Sequence, residues 1–276
     1  MSSKIRLGVS DATYLQPLLA GLDASDSPFE LSSEFPAINS VRLNERTNAL
    51  RCAFLSPIDY ARYAGLYRIV PGVCVSSSAP TNTITLTVRQ DVRNINRVAV
   101  DIRVTSEIVL AKIILLERLR NMPEDRSDIE FVPMLPSLAT MLQKADAALI
   151  ANLSPTQYVP SPHLTIDLVE EWSDMTGLPY VHGFWVARED EFDRANAGAL
   201  INARDRGIAD RETIIRTEAS KLNVPADDLR EYFESFAYDF GQNAIDSVTE
   251  FVTMAYYHGV LGDVPDISFF DFSPAN

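Results

Sequence analysis

The residues in this chain best equipped for chemistry stand where strands hand over to helices. Thr105 and Ser106 follow the strand-like run Arg97 to Ile102 and open a long apolar helix. Free backbone N–H groups, two hydroxyls and the positive end of the helix dipole converge at such a start, which suits an anion; the same pair also serves as an ordinary N-cap. Ser56 occupies the matching place earlier in the chain, between the apolar run Ala53-Phe54-Leu55 and a helix whose first turn holds Pro57. Gln16 follows the first strand, and its amide is able to donate to a carboxylate or orient a hydroxyl. Asn152 follows the apolar run Ala147 to Ile150 and is within a loop's reach of the same region. Ser76, Ser77 and Ser78 read as a polar turn between strands, from which one hydroxyl, taken here as Ser77, is a donor. Arg103 has the neighbours of an exposed loop arginine, and His182 those of a buried histidine with its polar atoms satisfied. Glu170, Glu171 and Asp174 read as a solvated helix face. Cys52 and Cys74 lie in apolar runs and read as buried free thiols. His163, His182 and His258 are scattered, and no Cys or His group has metal-ligand spacing, so no metal is expected.

The frame that must position these groups is read from periodicity. Short apolar or alternating runs at Lys4–Val9, Phe29–Phe35, Ala53–Leu55, Val73–Val75, Thr83–Arg89, Arg97–Ile102, Glu130–Val132, Ala147–Ile150 and Tyr180–Val186 predict strands. Helices are predicted at Tyr14–Leu22, Asn44–Leu50, Ile58–Tyr63, from Thr105 to about Arg120, at Ser137–Gln143 and at Asp167–Thr176. After Arg188 the chain turns helical, at Glu191–Arg206, Arg211–Leu222, Leu229–Tyr238 and Asp246–Gly259, and ends in a loose tail from Ser268. Strands alternating with helices predict an α/β protein with largely parallel sheets, in two strand-rich blocks followed by a strand-free helical block. With 276 residues and 46% hydrophobic content, the chain is long enough for two cores. A formal net charge of −14 disfavours nucleic acid and anionic membrane surfaces as partners. Met1-Ser2-Ser3-Lys4-Ile5-Arg6 is followed by no apolar run of signal-peptide length, and Ile108 to Leu116 is too short to span a bilayer, which predicts a soluble, cytoplasmic protein.

Several segments, in order, resemble the menaquinone-biosynthesis family of the futalosine route, which contains chorismate dehydratase and dihydroxynaphthoate synthase. They are Leu7-Gly8-Val9 with Tyr14-Leu15-Gln16-Pro17-Leu18, Ala53-Phe54-Leu55-Ser56-Pro57-Ile58-Asp59-Tyr60-Ala61, Val75-Ser76-Ser77-Ser78-Ala79-Pro80, Ala145 to Ile150, Asp167 to Trp172, and Thr176 to Val181 with Trp185. The resemblance spans about residues 4 to 260 and is nearer to the dehydratase branch. It implies a two-lobed, periplasmic-binding-protein-like (type II) α/β fold with an interlobe cleft. The first lobe would hold residues 1–87 and 184–276, the second 88–183, with a hinge near Thr83–Arg89 and Gly183–Val186 and the C-terminal helices back on the first lobe. It further implies a hydro-lyase that removes water from chorismate to leave an enolpyruvyl-benzoate, with Gln16 and Thr83 in the catalytic positions. Tyr14, Ser56, Ser77, Thr105, Ser106 and Asn152 would bind a small carboxylate, and no cofactor is implied. The chain departs from the family where Gln16 replaces an asparagine, Ser77-Ser78-Ala79-Pro80 a Ser-Asp-Gly-Pro turn, Thr83 a serine and Ala151-Asn152 a Gly-Asp pair. Those departures keep open a binding protein or sensor without chemistry, and the synthase branch, on the same fold.

Overall fold

The computed structural model describes residues 4–22, 27–45, 50–119 and 129–271. The chain begins with β1 (Ile5–Val9), α1 (Gln16–Leu19), β2 (Phe29–Ser33), α2 (Pro36–Asn44), β3 (Cys52–Leu55), α3 (Pro57–Ala61) and β4 (Arg68–Ser77). It continues with β5 (Ile84–Val88), β6 (Arg97–Asp101), α4 (Ser106–Leu119), β7 (Glu130–Met134), α5 (Leu138–Lys144), β8 (Ala147–Ala151) and β9 (Leu164–Asp167). Then come α6 (Leu168–Thr176), β10 (Tyr180–Ala187), α7 (Arg194–Ala209), α8 (Arg211–Leu222), α9 (Ala226–Glu234) and α10 (Gln242–Tyr257). The strands form two sheets, ordered β2-β1-β3-β10-β4 and β7-β6-β8-β5-β9.

Each sheet contains one strand that has crossed from the other half of the chain. β5 leaves the first block to join the second sheet, and β10 returns to the first. These two are buried along their whole length, Thr85, Thr87 and His182 included, as strands in the middle of a covered sheet are. They also correct the expectation of largely parallel sheets. β1 pairs in parallel with β2 and β3, and β6 with β7 and β8. The crossing strands run antiparallel to both of their neighbours. A chain arriving from the other lobe enters its sheet at the end where the local strands leave it, so it must run against them. By sheet membership the crossings fall just before β5 and just before β10, a few residues earlier than the lobe boundaries expected from the sequence.

The C-terminal helices divide their packing. Leu200, Ala203, Ile215, Leu229 and Phe233 of α7, α8 and α9 share a core with Leu7, Leu15 and Leu18. Gly207 lets α7 approach α1, since any side chain there would overlap the Pro17 carbonyl. α10 packs against both lobes. Val248 and Val252 pack with Tyr60 and Phe184 of the first lobe, while Phe251 and Ala255 pack with Val109 and Trp172 of the second. The Trp172 indole N–H donates to Ser247 of α10 at 3.1 Å, and His258 meets Glu117 of α4 at 2.9 Å.

Other differences have local causes. The helix expected over Asn44–Leu50 is α2, which ends at Asn44; its start is marked by Pro36 in the first turn, and residues 46–49 lie outside those described. Residue 120, at the expected end of the long apolar helix, and residues 272–276 of the expected tail also lie outside them. Ser268 and Phe270 are not loose: they hydrogen-bond the backbone of Ile69. β4 is longer than Val73–Val75 because it runs through Pro71 and Gly72, the latter at φ 77°. Ser76 and Ser77 are therefore strand residues, and only Ser78 belongs to the turn. β9 escaped notice because it runs straight into the Asp167 cap of α6.

Candidate functional site

The two strand-to-helix turns singled out in the sequence face each other across the lobes, and they are tied by a residue between them. Ser56 caps α3: its Oγ accepts the Asp59 backbone N–H at 3.3 Å and donates to Asp59 Oδ2 at 2.7 Å. The same Oδ2 accepts Thr105 Oγ1 at 2.7 Å from the start of α4 in the second lobe. Asp59 is 1% exposed, and its other oxygen lies 3.6 Å from the Arg62 guanidinium. Burial raises its pKa, against the Ser56 and Thr105 hydrogen bonds and the Arg62 charge, which lower it. The Thr105 hydroxyl expected to meet a ligand thus meets a carboxylate of the chain itself.

Next to it the pattern inverts. Ser106 is 0% exposed and its Oγ has no hydrogen-bond partner. The Tyr180 hydroxyl and His182 Nε2, both on β10, are likewise buried and unpartnered. Burial pushes the Tyr180 pKa well above the usual phenol value, and the Glu107 carboxylate adds to the shift; the nearby Ser106 hydroxyl acts in the opposite direction, although the pair falls short of hydrogen-bond geometry. The Tyr14 ring lies 5.1 Å from the His182 ring and 5.3 Å from Phe236, and Tyr180 meets His182 edge-on at 5.1 Å. Tyr238 OH donates to the Tyr14 carbonyl at 3.0 Å and fixes the backbone there. Burial lowers the His182 pKa to about 3, so its ring is neutral at ordinary pH. Glu107 completes the group from the first turn of α4: burial, with the Asp59 and Asp101 carboxylates, pushes its pKa up to about 7. The expectation of a satisfied buried histidine is therefore corrected, because the buried imidazole has an atom that nothing in the chain answers.

The remaining expected residues lie elsewhere. Thr83 Oγ1 pairs with Thr81 Oγ1 at 2.6 Å, and Asn152 donates its side-chain N–H to the Asn82 carbonyl at 2.6 Å and its backbone N–H to Thr83 at 2.7 Å. These bonds belong to the crossing into β5. Asp167 fastens the same crossing, accepting the Thr81 and Asn82 backbone N–H groups at 2.8 and 2.6 Å while capping α6. Ser77 donates to the Ala79 and Ser235 carbonyls and lines a cavity of about 660 Å³ with Phe236, Asp239 and Asn243. Gln16 lines a different cavity, of about 490 Å³, with Asp11, Thr217 and Lys221. Arg103 is not an exposed loop arginine: it is 17% exposed by side chain, forked onto the buried Asp101, and donates to the Ala151 carbonyl at 2.9 Å. Beside Asn152 it lines a third cavity of about 380 Å³.

So Tyr14, Ser56, Thr105 and Ser106 gather in one interlobe cluster, and Gln16, Ser77, Thr83 and Asn152 do not. Sequence reasoning missed Asp59, Glu107, Tyr180 and the unpartnered state of His182. Asp59 and Glu107 had a visible signal, an acid in the first turn of each helix whose start was already singled out. Among the described residues no group of three or more His, Cys, Asp or Glu is placed to hold a metal ion, and no helix is long and apolar enough to cross a membrane. Cys52 and Cys74 are buried free thiols whose pKa values burial raises, that of Cys74 to about 12.

The architecture has known counterparts. Protein AF1704 from Archaeoglobus fulgidus superposes with a TM-score of 0.68 at 16% identity, over 94% of this chain and 99% of its own. The periplasmic aliphatic sulphonate binding protein of Escherichia coli superposes at 0.61 and 16% identity, over 97% and 96%. The CA3427 protein of Candida albicans, which has the generic periplasmic binding protein fold, does so at 0.59 and 15%, over 96% and 92%. At such identities the likeness shows the fold. The family described as menaquinone biosynthesis matches residues 5–257, nearly the whole chain, and to that family, built here on a periplasmic-binding-protein fold, the chain belongs.

Proposed function

We propose that the chain acts in menaquinone biosynthesis as a chorismate dehydratase-like lyase, with its substrate held between the lobes at the Ser106–Tyr180–His182 cluster. The observation that carries this reading is the convergence of three buried, unpartnered polar atoms from α4 and β10, ringed by Tyr14 and Phe236. An unanswered buried polar group costs about 1–3 kcal/mol, and three together are tolerated most readily where a ligand answers them. A flat ring carrying a carboxylate fits the set: aromatic faces for the ring, and the Ser106 hydroxyl with the start of α4 for the carboxylate. The crossings before β5 and β10 would act as the hinge between the lobes.

In such an elimination the ring C–O bond breaks, the departing hydroxyl leaves as water, and the ring proton goes to a carboxylate, for which the substrate's own is available. Glu107, with a carboxyl that titrates near neutrality, is suited to deliver the proton to the departing oxygen. His182 stays neutral and serves as a hydrogen-bonding wall. Gln16 and Thr83, in the family's catalytic positions, would act here only through the crossing and the neighbouring cavity. A second reading, binding without turnover, is favoured by one observation: the Thr105 hydroxyl is already held by Asp59. Incubation with chorismate, followed in the ultraviolet for an aromatic product, decides between them. Product formation supports the lyase; saturable binding with no product supports the binding protein.

A further inference from the structure

Asp59 occupies the place that the sequence reading reserved for a ligand. Its Oδ2 takes both the Ser56 and Thr105 hydroxyls at 2.7 Å, one from each lobe. We infer that Asp59 is an internal stand-in for the substrate's carboxylate, which latches the two lobes together and must be displaced from Thr105 before a carboxylate ligand can take the start of α4. This rests on the reading of the ligand as a small ring carboxylate.

Three features separate a latch from plain helix capping. A cap is satisfied within its own helix, as the Ser56–Asp59 backbone bond is. The bond to Thr105 reaches another lobe, 46 residues away in sequence, and adds nothing to capping α3. Second, Arg62 approaches only the opposite oxygen, at 3.6 Å, and its side chain is 43% exposed, whereas the oxygen that faces Thr105 takes the two hydroxyls. An anionic ligand entering beside it meets a like charge. Third, the hydroxyl next in the chain, Ser106 Oγ, is buried and unpartnered within the same turn of α4. The turn therefore has one donor already committed and one waiting, and a ligand carboxylate that reaches Ser106 competes with Asp59 for Thr105. Since a ligand shifts an arrangement only by binding one form better than the other, the latch lowers the apparent affinity for carboxylates in particular.

The test uses the intact chain with three probes: benzoate, its neutral counterpart benzamide, and chorismate, titrated calorimetrically into wild type, Asp59→Asn and Thr105→Val. Asp59→Asn keeps the size of the side chain and one acceptor oxygen, and a thermal melt verifies that each variant is folded. The expected result is benzoate and chorismate binding at least tenfold tighter to Asp59→Asn than to wild type, with benzamide changed less than twofold. Thr105→Val should release the latch but also remove a donor, so it gains less than Asp59→Asn. Equal or weaker carboxylate binding by folded Asp59→Asn overturns the latch and leaves Asp59 a cap. If Asp59→Asn binds tighter but no form of the protein turns chorismate over, the latch stands and the lyase reading falls. If wild type turns chorismate over and Asp59→Asn binds it no better, the lyase reading stands and the latch falls. No carboxylate binding by any form overturns both.

Discussion

The two helix starts at the lobe interface, Ser56 on α3 and Thr105-Ser106 on α4, look alike in sequence and behave differently in the fold. Each is a hydroxyl residue between an apolar strand and a helix, with an acid in the first turn that follows, Asp59 in one and Glu107 in the other. At α3 every group finds its partner nearby: Ser56 and Asp59 answer each other, and the helix is closed by its own residues. At α4 neither hydroxyl is answered within its own helix. Thr105 reaches across to Asp59, Ser106 reaches nothing, and Glu107 sits among Tyr14 and Tyr180. The difference teaches that a helix start becomes a site when its donors are left over after the helix is satisfied, and the pair supplies its own control.

The largest expected effect follows directly. Ser106→Ala should weaken chorismate binding tenfold or more, since a charge-assisted hydrogen bond contributes about 1.5–3 kcal/mol. The same change should leave the free protein as stable or slightly more so, because it deletes a buried hydroxyl without a partner. Titration calorimetry and a denaturant melt on the one variant read both signs; loss of stability with affinity unchanged would make Ser106 a structural residue.

The second effect is the pH response of Glu107. Its pKa rises in the folded chain from 4.5 to about 7, so folding favours the protonated form. Stability from this group is then full below about pH 4.5, declines as pH rises towards 7, and is level above. A rise of that size corresponds to about 3 kcal/mol, reduced to about 1–2 kcal/mol because Glu107 is only partly buried and keeps some contact with solvent. Glu107→Gln should therefore gain stability relative to wild type on going from pH 5 to pH 8, as urea midpoints would read. Parallel midpoints at both pH values would mean that Glu107 is solvated, and would remove it as the proton donor.

On the satisfied side, Ser56→Ala removes a cap and one of the two hydroxyls on Asp59, and should cost about 1 kcal/mol of stability. Chemical denaturation measures it. A stabilised Ser56→Ala would show that the two helix starts are not opposites after all.

How much of this was legible follows from what each inference needed. Strand and helix periods are local, so Ala147 to Ile150, Arg97 to Ile102 and the α4 and α8 helices stood out, and their order resembled a known family. The helix starts were visible for the same reason. Whether a buried polar atom finds a partner is a tertiary fact. As letters in the sequence Ser56 and Ser106 carry no trace of one hydroxyl being answered and the other not, and His182 reads the same whether or not its Nε2 is paired. Asp59 escaped because its second role is to reach another lobe, which no spacing within α3 reveals. The surroundings of Gln16 were hidden for the same reason: its neighbours across the cavity, Thr217 and Lys221, come from α8, about two hundred residues away in sequence.

That placement gives the smallest expected effect, and the one that most sharpens the contrast between the interlobe cluster and its surroundings. Gln16 and Thr83 stand where the family has asparagine and serine, and the pair invites reversion to Gln16→Asn with Thr83→Ser. If either side chain touched the reacting atoms, a shift of one methylene or one methyl would be worth as much as about a hundredfold in rate. Here Gln16 lines a separate cavity, and the Thr83 hydroxyl is held by Thr81 at 2.6 Å, a bond that serine can keep. The double reversion should therefore change chorismate turnover less than about threefold and leave affinity where it was, since neither change reaches Ser106, Tyr180 or His182. Steady-state rates on the reverted protein measure this. A rise of tenfold or more would return Gln16 and Thr83 to the reacting centre, and would mean that the lobes rearrange on binding so that the α8-facing cavity and the interlobe cluster become one site.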